Sequence, residues 1–145
     1  MVLGNILLED KYLNNWKFLN NMRKMFTKFV ELFLGLALIV FGANGFLQFM
    51  PAPEFNAAGS AFLGALFATG YVFPLMSLVW IIAGVLLVIR RARAFAVVAI
   101  LPISLNLVLF HIFLDSAQGL FSYIILVANL YLVWAYFKVY RPLFS

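Results

Sequence analysis

The fold is decided by the stretch at residues 29–50, which reads FVELFLGLALIVFGANGFLQFM. Glu31 is its only ionisable residue, and Asn44 and Gln48 lie near its far end. A bilayer core about 30 Å thick is crossed by roughly 20 helical residues, whereas the apolar core of a secretory signal peptide has only about 7 to 15. The stretch therefore predicts a transmembrane helix that is retained rather than cleaved.

The composition of the whole chain points the same way. Hydrophobic residues occupy 66% of its 145 positions and charged residues only 10%, against about 25% charged residues in soluble globular domains. Because so little polar surface cannot cover a water-soluble fold, we expect the lipid bilayer to surround most of the molecule. The length predicts a single domain.

Three more membrane spans are predicted after the first. The uncharged segment at residues 55–89 is too long for one perpendicular span, and Gly70 and Pro74 predict a break within it. We expect a short helix at the outer interface over residues 55–69, and then spans at residues 71–89, 94–114 and 120–137. The predicted fold class is all-α, a polytopic membrane four-helix bundle with a short interfacial helix between spans one and two.

The basic residues predict the orientation of the spans. The net charge is +5, and the bases fall in three clusters: Lys11, Lys17, Arg23, Lys24 and Lys28; Arg90, Arg91 and Arg93; Lys138 and Arg141. The two connections on the other side carry Glu54 and Asp115 and no base. Because basic connections remain in the cytoplasm during insertion, both termini are predicted to be cytoplasmic. The clustering explains the positive charge without nucleic acid as a partner.

Residues 1–28 form a leader to the membrane domain at residues 29–142. Apolar side chains recur in it at intervals of three and four residues, at Leu8, Tyr12, Trp16, Leu19, Met22 and Phe26. This pattern is typical of an amphipathic helix on the membrane surface. Asparagine is a weak helix former, and the pairs at residues 14–15 and 20–21 leave a disordered cytoplasmic leader as the alternative.

Two pairs of ionisable residues are predicted near the ends of the spans. Glu31 follows Lys28 by three residues, a spacing that favours an ion pair on one helix. His111 and Asp115 are four residues apart at the outer end of the third span, where the carboxylate could orient the imidazole. The alternative for this second pair is a polar cap on the helix.

Three asparagines are predicted to share one depth in the membrane. A rise of about 1.5 Å per residue places Asn44, Asn106 and Asn129 near one level. An amide facing lipid would be unsatisfied, so we predict that they form a polar centre, closed from outside by His111 and Asp115. This candidate site would bind a ligand or water, and the alternative is hydrogen-bonded glue between helices, about 0.6 kcal/mol per bond.

Small residues and one proline predict how the helices pack. Gly35 and Gly42 lie seven apart in span one, and a second stripe comprises Ala57, Ala61, Gly64, Ala65 and Ala68. Such stripes allow helix backbones to approach closely. Pro102 interrupts the hydrogen bonding of span three and predicts a kink there.

The sequence gives no sign of a cofactor or a metal site. It contains no cysteine and one histidine, which excludes disulfides, thiolate metal sites and a bis-histidine haem within one chain. It also has no phosphate-binding glycine loop and no nucleophile elbow. We expect no cofactor and no metal, and no catalytic residue is assigned.

Five segments share a pattern with a known family: FGANGFLQF, AAGSAFLGALFATGYVFPL, IIAGVLLVIRR, NLVLFHIFLD and NLYLVWAYFKVYRPL. Through them, residues 29–142 resemble the DoxX-like membrane proteins. The resemblance implies a four-helix bundle in the bacterial inner (cytoplasmic) membrane, associated with quinone-linked oxidoreductase assemblies. Many relatives have a glutamate four residues before the glycine of the second span, where this chain has Trp80.

These observations predict a non-catalytic subunit or scaffold of a redox- or respiratory-linked membrane assembly. The expected partners are membrane redox proteins or a quinone, and self-association into a homo-oligomer is left open. One alternative is a small carrier for a lipophilic molecule, with a cavity near Pro102. Another is an enzyme using His111 and Asp115, which ranks lowest because that pair has no nucleophile or metal beside it.

Overall fold

A computed structural model describes the backbone of residues 2–51, 53–116 and 119–144, and the side chains of residues 12–51, 53–116 and 119–142. These residues form helices and connections, with no strand. The elements are α1 (Val2–Leu47), α2 (Ala57–Ala68), α3 (Val72–Val88), α4 (Arg93–Phe113), α5 (Leu120–Ala135), α6 (Phe137–Tyr140) and a 3-10 turn (Arg141–Phe144). The prediction of an all-α chain is confirmed.

Two or three elements of the described chain have the length and composition of membrane spans. Helices α1 and α4 are each long and apolar enough to cross a membrane, and α2 and α3, which meet at 88°, count as a third span if they are taken together. Helix α5 is a shorter apolar helix. Large apolar side chains cover the outside of the molecule, among them Phe29, Phe95 and Val127, which are each about two-thirds exposed. A continuous apolar surface of this kind marks contact with a membrane.

Helices α1, α3, α4 and α5 contribute to one hydrophobic core. Its fully buried members include Leu34 and Leu38 from α1, Leu87 from α3, Ile100 from α4 and Leu132 from α5. Buried positions recur every three or four residues within each helix, as they do at 30, 31, 34, 35, 38 and 42 in α1. Each helix therefore turns one face to the core and the other outward.

Glycines bring α1 and α3 into backbone contact. A Cβ added at Gly84 would lie 2.6 Å from the carbonyl oxygen of Gly35, and one added at Gly42 would lie 2.8 Å from the carbonyl oxygen of Ser77. These distances are too short for any side chain, so only glycine allows the two helices to pack this closely. The close approach predicted at Gly35 and Gly42 is confirmed.

The second predicted stripe of small residues does not pack in this way. Gly64 has no atom within 4 Å of its added Cβ, and the four alanines of the stripe are exposed. Helix α2 instead makes contact through Gly59, which lies against Phe110 of α4. The small stripe of α2 therefore faces away from the described part of the chain.

The leader and the first apolar stretch form one continuous helix. Helix α1 passes through residue 28 without a break, and its side chains from Tyr12 to Phe26 are exposed. Leu8 and Lys11 lie outside the described side chains. The helical interpretation of the leader agrees with this backbone.

The break predicted inside residues 55–89 lies at Gly70. Its φ of +72° is in the left-handed region, which glycine adopts without steric cost. Pro74 lies in the first turn of α3, where a missing backbone N–H costs little. Helix α4 continues through Pro102.

Candidate functional site

Glu31 is the most heavily bonded side chain at the end of the molecule that carries the basic residues. It is 1% exposed. Its Oε2 accepts hydrogen bonds from Arg90 Nε at 3.3 Å and Nη2 at 3.1 Å, and its Oε1 accepts from Arg93 Nη1 at 3.3 Å. The Tyr136 hydroxyl also donates to Oε1. One carboxylate from α1 thereby holds the α3–α4 connection and the end of α5.

The predicted pair between Glu31 and Lys28 is wrong. Glu31 instead forms ion pairs with Arg90 and Arg93. Arginine presents five N–H donors in a planar fork, so two arginines can satisfy a buried carboxylate that one neighbouring lysine cannot. Glu31 lies on the core face of α1, whereas Lys28 is exposed.

The α3–α4 connection is tightly bent to bring its arginines to Glu31. Arg90 and Ala92 have φ values of +62° and +47°, a conformation that costs a non-glycine residue roughly 1–2 kcal/mol. The two hydrogen bonds from Arg90 to Glu31 offset that cost at the first position. Ala92 is exposed, and it is the second residue with a left-handed backbone conformation, directly before α4.

Five bases surround Glu31 in a cavity of about 210 Å³. The basic cavity is lined by Arg23, Lys24 and Lys28 of α1, by Glu31, and by Arg90 and Arg93. Glu31 is the only acid among these lining residues. The basic cavity therefore carries a large excess of positive charge.

Aromatic side chains fix the walls around the basic cavity. The Arg23 guanidinium lies 5.9 Å from the centre of the Trp134 ring, a cation–π distance. The hydroxyls of Thr27 and Tyr131 share a hydrogen bond of 2.9 Å between α1 and α5. These contacts hold the basic half of α1 against α5.

The C-terminal segment is tied to the same end of the molecule. The Tyr140 hydroxyl donates a hydrogen bond of 2.8 Å to the carbonyl oxygen of Ala94 at the start of α4. Burial raises the pKa of the Tyr140 phenol above its ordinary value, because the anion would lose its hydration. The phenol therefore remains protonated and continues to donate.

His111 and Asp115 meet at the opposite end of α4. The His111 Nδ1 lies 2.9 Å from the backbone carbonyl oxygen of Asp115, and both residues are buried. The Asp115 Oδ2 accepts a hydrogen bond of 3.0 Å from the backbone N–H of Asn56. The two residues thus lie together, and His111 Nδ1 donates its hydrogen bond to the main-chain carbonyl oxygen of Asp115. The orientation of the imidazole by the Asp115 carboxylate stays a prediction.

Asn56 links this pair to α2. Its Oδ1 accepts from the backbone N–H of Gly59 at 2.8 Å, which caps α2, and its Nδ2 donates to the carbonyl oxygen of Leu114 at 2.5 Å. Phe110 adds ring contacts to Phe55 and Phe62 at 5.4 and 6.0 Å between centroids. This end of α4 is therefore a closed polar and aromatic junction.

Asn129 is the buried amide of the core. It has no exposed surface, and its Nδ2 donates to the Val97 carbonyl oxygen at 3.3 Å and to the Ser104 hydroxyl at 3.4 Å. It therefore joins α5 to α4 on both sides of Pro102. Its Oδ1 has no partner among the described residues, which leaves one buried acceptor open to a small donor such as water.

The other two asparagines of the predicted polar centre lie elsewhere. Asn106 is exposed, because it is two residues from the buried Ser104 and Val108 and so lies on the opposite side of α4. Asn44 is half-buried, and its Oδ1 accepts from the backbone N–H of Met50 at 2.7 Å. In the described chain no hydrogen bond joins any two of the three amides, so the structure does not assemble them into one centre.

Most of these polar groups make contacts that join one helix to another. Both Glu31 oxygens are occupied by donors, and Asp115 and His111 bond the ends of helices. Among the described residues no three His, Asp or Glu side chains are grouped to hold a metal ion. The basic cavity, by contrast, combines space and uncompensated charge, and it is the candidate functional site.

No family model, curated protein or solved structure matches this chain. The assignment of the candidate site therefore rests on the geometry of its residues alone.

Several of the residues that build the site were missed by the sequence reasoning. Arg90, Arg93 and Tyr136 are 59, 62 and 105 residues from Glu31, and no local spacing reveals such a contact. The sequence did contain one signal for this contact: an acidic residue in an apolar stretch, together with a connection rich in arginine. Asn56 directly precedes a helix, and this position is typical of an N-cap.

Proposed function

We propose that the chain is a four-span protein of the bacterial inner membrane, with both termini cytoplasmic, that serves as a non-catalytic subunit or scaffold. The resemblance to DoxX-like proteins makes a redox-linked assembly the proposed setting. Three structural observations support this proposal, and the third carries it.

The first is the shared depth of α1 and α3. Their close contacts extend from Gly35 beside Gly84 to Gly45 beside Ser77. If α1 crosses the membrane, α3 lies beside it over about 15 Å, which is half of the roughly 30 Å core. Helices α3 and α5 have 17 and 16 residues, about 24–26 Å at 1.5 Å per residue, and α6 follows α5 after Tyr136.

The second is the gathering of bases at one end. Glu31 holds Arg90 and Arg93 beside the basic half of α1, and Tyr140 places the C-terminal segment there too. Asp115 and Asn56 mark the other end. A bundle with all its described bases at one end satisfies the positive-inside rule with an even number of spans.

The third observation is the length of α1. Its 46 residues measure about 69 Å, more than twice the roughly 30 Å core of a bilayer. The half before the bundle exposes Tyr12 and Trp16 by 73% and 65%, together with Phe18 and Leu19. We define residues 12–22 as the projecting arm. A row of large apolar side chains outside the bundle provides a docking surface for another protein.

The test is purification in mild detergent of the full chain and two variants. Tyr12→Ser with Trp16→Ser and Leu19→Ser removes one apolar face of the projecting arm, and Asn14→Ser with Asn15→Ser and Asn21→Ser is the control. We expect a stoichiometric partner with flavin or haem absorbance in the wild-type and control eluates, and its loss from the first variant. A wild-type chain that inserts normally and is purified alone would contradict the scaffold proposal.

One observation favours a second function, the carriage of a lipophilic molecule. A groove of about 440 Å³ between α1 and α5 is lined almost entirely by apolar side chains, including Phe29, Phe33, Tyr123, Val127 and Tyr131. Val127→Trp would fill it, and Val139→Trp on an exposed position outside it is the control. Mass spectrometry of the solvent extract tests this candidate: a single compound that is retained by wild type and control and lost from Val127→Trp would establish it.

A further inference from the structure

We propose that the basic cavity is a binding site for a phosphate-bearing anion, supplied by an anionic lipid headgroup or by free phosphate. The proposal combines the charge, the geometry and the volume of the basic cavity. Its place at the cytoplasmic membrane surface rests on the proposed topology, whereas its charge does not.

The charge of the basic cavity is far from balanced. Five bases and one acid line it, so four positive charges remain after Glu31 is counted. In the part of the chain that the structure describes, no carboxylate lies within ion-pair distance of Arg23, Lys24 or Lys28. Because like charges this close repel one another, a bound anion would lower the free energy of the folded state.

Glu31 fixes the positions of the Arg90 and Arg93 guanidinium groups and leaves most of the positive charge of the basic cavity uncompensated. It takes up two N–H groups of Arg90 and one of Arg93, and each guanidinium has five. The side chains of these arginines remain 40% and 37% exposed. Two arginines fixed by a buried acid present the planar, multidentate donors that phosphate prefers, at a reduced entropic cost.

The volume and the position also fit a phosphate group. The cavity of about 210 Å³ is far larger than the roughly 10–15 Å³ that one water molecule needs by the same measure. Basic pockets between helices at the cytoplasmic surface are the sites at which anionic headgroups bind.

The first experiment titrates the purified full chain in detergent with fluorescent phosphatidylglycerol, and with phosphatidylcholine of the same acyl chains as the neutral control. We expect saturable binding of phosphatidylglycerol alone. Lys24→Gln with Lys28→Gln should weaken it about 25-fold, at roughly fivefold per base. Lys17→Gln with Lys138→Gln removes the same charge outside the basic cavity and should leave binding within twofold.

Inorganic phosphate added to the same titration identifies the source of the anion. Competition at millimolar concentration assigns the site to free phosphate, and undiminished phosphatidylglycerol binding assigns it to the lipid headgroup. Absence of saturable binding to either probe overturns the proposal, as does equal binding by the two double variants. Because the measurement is made in detergent, its failure is independent of a failure of the proposed topology.

A variant that keeps every charge tests whether the anion binds inside the basic cavity or is only attracted by its positive charge from a distance. Ala135 lines the basic cavity, and Ala135→Leu reduces its volume. We expect at least a tenfold loss of phosphatidylglycerol binding with an unchanged melting temperature. Ala58→Leu, on an exposed position of α2, should bind like wild type. Full binding by Ala135→Leu would place the anion elsewhere and refute the assignment.

Discussion

At the scale of single residues, Glu31 determines how one end of the molecule is assembled. Its carboxylate is the only acid beside Arg90 and Arg93 among the lining residues of the basic cavity. Removal of a buried charge leaves its partners without compensation, which costs more than the intact pair contributes. The two arginines are partly exposed, and water reduces this cost.

We predict that Glu31→Gln lowers the free energy of unfolding by about 2 kcal/mol, because the amide cannot balance two guanidinium charges. Arg91 belongs to the same connection and lies outside the basic cavity, so Arg91→Gln should change stability by less than about 0.5 kcal/mol. Thermal denaturation in detergent compares them. Equal melting temperatures for the two variants would show that the Glu31 contacts contribute little.

Asn44, Asn106 and Asn129 differ in burial, although the sequence predicts a common depth in the membrane for all three. Depth follows from counting residues, whereas the side of the helix depends on which face meets a neighbour. Asn129 faces α4, and Asn106 of α4 faces outward. The rise per residue could therefore not tell a buried amide from an exposed one.

We predict that Asn129→Leu destabilises the protein by about 1 kcal/mol, since two interhelical hydrogen bonds of about 0.6 kcal/mol each are lost. Asn106→Leu removes an exposed amide and should leave the melting temperature in detergent unchanged or raise it. A larger loss from Asn106→Leu than from Asn129→Leu would contradict the burial described here.

At the scale of helices, the pair α1 and α3 is the most closely packed unit. The glycines on both helices leave no room for a side chain between the backbones. This contact could be predicted from Gly35 and Gly42, because small residues at helical spacing are directly visible in a sequence. Their partner Gly84 could not, because the register between two distant helices is set by the whole interface.

We predict that Gly84→Ala destabilises the protein by about 2 kcal/mol, because its Cβ would overlap the Gly35 carbonyl oxygen and force the helices apart. Gly64→Ala is the matched control. Its Cβ enters open space, so the gain in helix propensity should stabilise α2 by about 0.5–1 kcal/mol. Melting temperatures that shift in the same direction for both variants would contradict this packing.

The sequence predicted the helical elements better than the contacts between them. Apolar stretches and the break at Gly70 are local features, so α3, α4, α5 and the C-terminal end of α1 were expected close to their observed bounds. The ion-pair partner of Glu31 was not predicted correctly, because Lys28 is close to Glu31 in the sequence whereas Arg90 is close to it only in the folded chain. A long helix through residue 28 was also unforeseen, because the polar leader and the apolar stretch have different compositions.

At the scale of the whole molecule, the charges define two different ends. Glu31, the arginines of the α3–α4 connection and the C-terminal segment meet at one end, and Asn56 and Asp115 meet at the other. The basic cavity and the projecting arm belong to the first end. Both proposals therefore act on the same side of a membrane, and that side is the cytoplasm if four spans are present.

Labelling of single cysteines in intact cells tests this topology most directly, because the chain has no native cysteine. Ala58→Cys and Ser116→Cys are on exposed positions at the end of the molecule opposite the basic cavity, and Ser145→Cys marks the C-terminus. Four spans with cytoplasmic ends predict that a membrane-impermeant maleimide labels the first two in intact cells and labels Ser145→Cys only after the cells are lysed. Labelling of Ser145→Cys in intact cells, or protection of Ala58→Cys and Ser116→Cys until lysis, would contradict the proposed topology.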